Sequence, residues 1–302
     1  MKHILVTGSH RSGTTWTGNM IALSDQVHYI SEIFNPERDP GRCLVSFPKW
    51  FTHLPLDAGE PYYSALQDTI VGHKYHLLRG LRSTRSPGEY KAKIAEYLKN
   101  LTASRRPNLR SLLKDPIAIF SAEWLAESFD MDVVVLIRHP ANFVSSLKLH
   151  QFNFPFEDLG SQERLMVDFL EPFREEISSP PVPIINQAIL LWRIIYSVVN
   201  TYRERYPEWN YFRYEDLALN PIPRFQQLFN NLKLEWSSEI ELKLRSYSNT
   251  ENPTETDNPM NIYRNSQAMV SQWKQRLSDQ EINLIKDSTS DVWPLFYKDS
   301  DW

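Results

Sequence analysis

Cysteine is almost missing from this chain of 302 residues, in which Cys43 stands alone. That excludes an intrachain disulfide and a metal site built from clustered cysteines, and the expected setting is a reducing cytoplasm. Long apolar runs are missing too. The best, Ile184 to Val199, is interrupted by Asn186, Gln187 and Arg193 and is expected to fall short of the roughly 18 residues of a membrane-crossing helix. No signal peptide is expected at the start, where the apolar run after Lys2-His3 is Ile4-Leu5-Val6 alone. A positive excess is also lacking. The formal net charge of −4 argues against a general nucleic-acid binder and leaves room for a local cationic pocket. No internal repeat, low-complexity tract or linker divides the chain, so a single domain over residues 1–302 is expected.

Short strand-like runs alternate with helical stretches: Ile4 to Thr7, Val27 to Ile30, Thr69 to Val71, Leu109 to Leu113, Val133 to Ile137 and Tyr211 to Tyr214. Near-continuous apolar runs such as Val133-Val134-Val135-Leu136-Ile137 predict parallel strands buried on both faces, hence an α/β class. Helical periodicity at Ala188, Leu191, Ile195, Val198 and Tyr202, and again at Phe225, Leu228, Phe229 and Leu232, predicts helices that cover such a sheet. Residues 34–63 and 151–183 lack periodicity and read as irregular caps over the strand ends, where open α/β folds bind ligands.

The chemistry concentrates in two stretches. Gly8-Ser9-His10-Arg11-Ser12-Gly13-Thr14-Thr15 follows the first strand, and a glycine-bracketed turn there aims main-chain N–H groups at an anion. It departs from the Walker pattern, with Thr14 in the lysine position and the cation displaced to Arg11. The second stretch runs from Ile137-Arg138-His139-Pro140 into a helix carrying Ser145-Ser146. Pro140 suits a first helical turn, and Ser146 lies about two turns further on, able to return toward the anion that Arg138 would meet. A magnesium-binding strand would end in aspartate; a guanidinium there points to direct phosphate binding, and no metal is expected.

With both stretches in place, the chain resembles the sulfotransferases that use 3′-phosphoadenylyl sulfate (PAPS). Thr7 to Trp16 is similar to their 5′-phosphosulfate loop and Ile137 to Leu147 to their 3′-phosphate motif, with further matches at Leu113-Lys114-Asp115-Pro116 and Tyr214-Glu215-Asp216-Leu217. The likeness covers residues 3 to 220, with a weaker echo near Trp273. It implies one P-loop-like domain with a central parallel sheet, flanking helices and irregular substrate caps. It implies further that Ser12, Gly13, Thr14 and Thr15 hold the 5′-phosphate, that Trp16 and Tyr214 flank the adenine, and that Arg138 and Ser146 hold the 3′-phosphate. Arg11 matches the cation that bridges the transferred group and its leaving phosphate, and Lys114 is a candidate second cation on the sulfuryl oxygens.

For the general base, Glu32 is the first candidate, as in the carbohydrate-acting and bacterial members, and His76 is the rival, as in the phenol- and steroid-acting branch. The Arg-Lys-Gly that the small-molecule branch carries near its C-terminus is not found here, and Arg264 is the nearest candidate for its role. Arginine at position 11, where lysine is usual, tilts the expected acceptor toward sugar-like or natural-product hydroxyls, with a lipid hydroxyl also open. Two other functions fit parts of the pattern: a P-loop small-molecule kinase, with Asp115 or Asp216 on magnesium, and a catalytically inactive nucleotide-binding protein.

Overall fold

The computed structural model describes residues 2–60, 62–249, 251–253 and 265–302. Five parallel strands form one sheet: β1 (His3–Gly8), β2 (Val27–Ser31), β3 (Arg110–Lys114), β4 (Met131–Ile137) and β5 (Asn210–Arg213), in the order β2-β3-β1-β4-β5. The register sets Val6 beside Lys114, Ser31 beside Lys114, Gly8 beside Leu136 and Ile137 beside Arg213. All five carboxyl ends therefore lie along one edge.

Strand periodicity explains why the sheet is buried on both sides. Leu5, Leu113, Val133, Val135 and Ile137 face one core, shared with the helix Ile184–Arg205 and with aromatics of both cap segments. Ile4, Val6, Leu112, Val134 and Leu136 face the other, shared with α1 (Thr14–Ile21) and with Phe225, Leu228 and Phe229 of the helix Pro221–Asn231. Alternate residues of one strand thus serve opposite cores, the condition that makes parallel strands read as unbroken apolar runs.

Two expectations are corrected. Thr69 to Val71 is no strand: Thr69 and Ile70 end α2 (Tyr62–Ile70), whose Ala65, Leu66, Thr69 and Ile70 bury one face while Val71 is exposed. The Thr69 hydroxyl donates to the Ala65 carbonyl one turn back at 3.2 Å, so the local bonding is helical and overrides the β-branched residues. The helix Ile184–Arg205 also meets the length and mean hydropathy of a membrane-crossing helix, 1.2 over its best window. Its residues Ala188, Leu191, Trp192, Ile195, Val198 and Val199 are nonetheless buried in the core.

The first cap, expected over residues 34–63, holds no helix or strand from Phe34 to Glu60, but its last two residues, Tyr62 and Tyr63, already belong to α2. The second is a chain of short helical turns from Glu157 to Ser178, which satisfy their main chain locally without a long hydrophobic period to announce them. Between the strands lie α3 (Leu77–Arg82), α4 (Pro87–Ala103) and α5 (Ala122–Ser128), and β4 leads into α6 (Pro140–Leu149).

Candidate active site

The loop after β1 is shaped by three residues with positive φ. Gly8 has φ 147°, Arg11 63° and Gly13 91°. A Cβ on Gly8 would stand 2.5 Å from the Leu136 carbonyl oxygen of β4, and one on Gly13 would strike the Tyr214 ring. Inside the loop the Ser12 hydroxyl donates to the Ser9 carbonyl at 2.5 Å, while the Ser9 hydroxyl shares a 2.9 Å bond with the Tyr196 phenol. Gly13 is the N-cap of α1 and offers no capping side chain, so the first turn, with Thr14 and Thr15, presents main-chain donors that suit an anion.

Arg138 follows β4 and is only 6% exposed. Its Nη1 donates to the main-chain oxygen of Arg11 at 2.8 Å and its Nη2 to Asn142 Oδ1 at 2.8 Å. The guanidinium lies over the Tyr214 ring, 4.3 Å from its centroid, and Nε is buried without a partner. The main chain here is fixed as well, because Arg138 N–H donates to the Tyr196 phenol and its carbonyl accepts from Trp192, both at 2.9 Å. Arg11 joins the two motifs: its Nε donates to Ser146 Oγ at 3.0 Å and its Nη2 sits 2.7 Å from His150 Nε2. Accepting from Arg11 leaves the Ser146 O–H able to donate onward.

Glu32 and Lys114 meet at the ends of β2 and β3. Lys114 Nζ is fully buried and is bonded to Glu32 Oε1, while Asn35 donates to Oε2 at 2.9 Å. Glu32 itself has φ 44°, and its N–H donates to the Lys114 carbonyl at 2.8 Å. Burial alone would raise the Glu32 carboxyl. The charge and hydrogen bond of Lys114, the bond from Asn35 and the charge of Arg42 outweigh it and hold the group below its ordinary value. Asp115 lies beneath this pair, fully buried, and accepts from Phe34 N–H at 2.7 Å and Ile117 N–H at 3.1 Å. Burial, with a contribution from the Glu32 charge, pushes its carboxyl up to about 7.

Trp16 and Tyr214 lie edge to face with ring centroids 6.0 Å apart, Trp16 backed by Phe225. Tyr214 is the first residue of the helix after β5, one position past the strand expected to contain it. His76 is not among the residues bonded to Glu32 or Lys114, and its Nε2 is buried without a partner. It caps α3, the charged groups it feels are Asp68, Arg79 and Lys74, and burial, with the two cations, lowers its imidazole. Arg264 lies outside the described residues.

Several residues that shape the site have no role assigned from the sequence. Asn142 holds Arg138 and donates to the Met269 and Val270 carbonyls, each at 3.2 Å. Glu215 accepts from His139 N–H at 3.1 Å and from the Tyr297 phenol at 2.9 Å, tying the helix after β5 to the second motif. The echo near Trp273 is a packing partner, since its ring stacks on His139 with centroids 5.3 Å apart. A buried glutamate or tyrosine announces itself only through its partner, and these partners are distant in sequence.

Among curated protein sequences, none is significantly similar to this one. Several solved structures are similar at low identity. The sulfotransferase domain from the curacin biosynthetic pathway has TM-score 0.49 and 14% identity, covering 96% of this chain and 98% of that one. A mouse sulfotransferase complexed with PAP has TM-score 0.47 and 11% identity, covering 99% and 86%. The sulfotransferase domain of the Synechococcus PCC 7002 olefin synthase has TM-score 0.43 and 16% identity, covering 95% of each chain. The sulfotransferase family model matches residues 3–238, most of the chain and every strand of the sheet. With that match over the phosphate loop, the Arg138 motif and the Glu32–Lys114 pair, the chain belongs to the sulfotransferase family.

Proposed function

We propose that the donor is PAPS and that its sulfuryl group passes to an acceptor hydroxyl by in-line displacement without a metal. The observation that carries this reading is the bond from Arg138 Nη1 to the Arg11 carbonyl, which places a buried guanidinium directly against the phosphate loop. A nucleotide held by the loop at its 5′-phosphate and by Arg138 and Ser146 at its 3′-phosphate is distinguished from ATP by that second phosphate.

In the reaction the acceptor oxygen forms a bond to sulfur while the bond from sulfur to the 5′-phosphate oxygen breaks. The leaving bisphosphate keeps the electron pair and the hydroxyl proton passes to Glu32. Lys114, buried beside Glu32, supplies positive charge for the sulfuryl oxygens, and fixed cations aimed at developing charge lower the barrier without reorganisation. The same pair keeps Glu32 ionised, as a base must be at neutral pH. Arg11 reaches Ser146 and His150, so its role on the bridging oxygen requires its side chain to turn from that end of the crevice.

The kinase alternative needs a carboxylate for magnesium. Asp115 is fully buried and spends its oxygens on two main-chain N–H groups, and Asp216 is paired with Arg213 at 2.6 Å. Neither is placed for a metal-bound phosphate. Transfer of radiolabelled sulfate from PAPS to a panel of alcohols in the presence of a chelator tests the proposal. Label in product at undiminished rate is expected, and transfer that stops on chelation contradicts it.

A further inference from the structure

The geometry points to His10 as the residue that positions the acceptor, and to an acceptor whose hydroxyl is carried on a flat or aliphatic apolar body. This rests on the sulfuryl-transfer reading above and deepens it. His10 lies in the phosphate loop, and its ring is enclosed by Trp50 and Phe51 of the first cap, Phe143 of α6 and Phe152 of the second cap, with centroids 5.9, 5.9, 5.4 and 5.2 Å away. It is the point where both caps meet the loop.

Both ring nitrogens are buried and have no hydrogen-bond partner. An unmade bond of that kind costs roughly 1–3 kcal/mol, so a chain rarely keeps one without use for it. Two other histidines are provided for, His28 with Asn100 at 3.1 Å and His73 with Ser111 at 2.8 Å, whereas His76 Nε2 is buried without a partner as well. His139 shares the unpartnered state, yet it is packed against Trp273 and Trp302 and feels Asp301, Lys274, Arg213 and Arg138. The charges that His10 feels are Arg11 and Glu32, the candidate transfer cation and base.

Burial, then the Arg11 charge, push the His10 imidazole down to about 3 against the opposing Glu32. It is therefore a neutral ring with one N–H and one lone pair, suited to orient a hydroxyl rather than to take its proton. Trp50 and Phe152 are only partly buried, so they form the wall that can part to admit a ligand. A polyhydroxylated body would leave its other hydroxyls unpaired against this aromatic lining, a strong penalty; an apolar body would not.

The test uses the full chain with PAPS and three acceptors: 2-naphthol, 1-octanol and N-acetylglucosamine. The wild type should favour an apolar alcohol over the sugar by about tenfold or more in kcat/KM. His10→Phe fills the aromatic box without the nitrogens. It should keep the thermal shift produced by 3′,5′-adenosine bisphosphate while raising the apolar acceptor KM by about tenfold, the equivalent of one lost hydrogen bond. His10→Gln, which restores a donor and an acceptor, should recover part of that loss, which a purely packing role would not. An unchanged acceptor KM in His10→Phe, or a wild type that binds the bisphosphate yet prefers the sugar or sulfates neither alcohol, overturns the inference. Absence of the bisphosphate shift in the wild type overturns the donor reading on which it rests.

Discussion

Arg138 Nη1 donates to the main-chain oxygen of Arg11 at 2.8 Å, so a strand-end guanidinium is built into the wall of a phosphate loop 127 residues away in sequence. The same guanidinium rests on the Tyr214 ring and bonds Asn142, contacts that orient it before any ligand arrives. A lysine in its place would keep the charge and lose the planar fork. For Arg138→Lys, affinity for 3′,5′-adenosine bisphosphate should fall about 10–100-fold, as for the loss of a charged hydrogen bond, toward that of 5′-AMP. Calorimetric titration with both nucleotides measures it; an equal fall for both would remove Arg138 from the 3′-phosphate.

Gly13 adopts φ 91° against the face of Tyr214. Gly13→Ala combines a backbone conformation that costs about 1–2 kcal/mol for an L-residue with a clash that displaces the Tyr214 ring. Bisphosphate binding should be lost at micromolar ligand while circular dichroism stays that of the wild type, and retained binding would contradict the assigned loop geometry.

The Glu32–Lys114 pair makes stability depend on acid pH. The Glu32 carboxyl is held below its ordinary 4.5, so the pair's contribution is complete above that value and is lost as pH falls through the lowered folded value. Between about pH 5 and pH 3 the melting temperature of the wild type should fall more steeply than that of Glu32→Gln. Lys114→Met leaves a carboxylate without its buried partner and should cost about 3 kcal/mol at neutral pH, read by denaturant titration. Parallel pH profiles for wild type and Glu32→Gln would show that the pair does not form in solution.

Arg11 reaches Ser146 and His150, yet its place in the loop fits charge stabilisation during transfer. Arg11→Ala should lower kcat about 10²–10³-fold, the usual loss for one transition-state cation. Bisphosphate affinity should fall far less. A loss confined to affinity would assign Arg11 to the 3′-phosphate alone.

The sheet was readable wherever apolar runs were continuous, because strands buried on both faces carry no competing pattern. Val133 to Ile137 and Ile4 to Thr7 lie within β4 and β1. Thr69 to Val71 misled because β-branched residues ended a helix whose buried face, Ala65 with Leu66 and Thr69 with Ile70, spans two turns. At the site, the two stretches expected to hold anions stand out as local spacing, and the structure brings Arg11, Arg138 and Ser146 together. It also brings Glu32 to Lys114 and leaves His76 among α3 and its charged neighbours. The roles of Tyr196, Asn142 and Glu215 were not legible. Tyr196 reads as one more apolar position on a core helix, and only the fold reveals that its hydroxyl meets both Ser9 and the Arg138 N–H.

On the proposed function, two anion cradles grip one adenosine nucleotide at its two phosphates. Thermal unfolding of the wild-type chain with 3′,5′-adenosine bisphosphate, and separately with ATP and magnesium, tests it most directly. A rise in melting temperature with the bisphosphate that grows with its concentration, and little change with ATP, is expected. A larger rise with ATP and magnesium would contradict it.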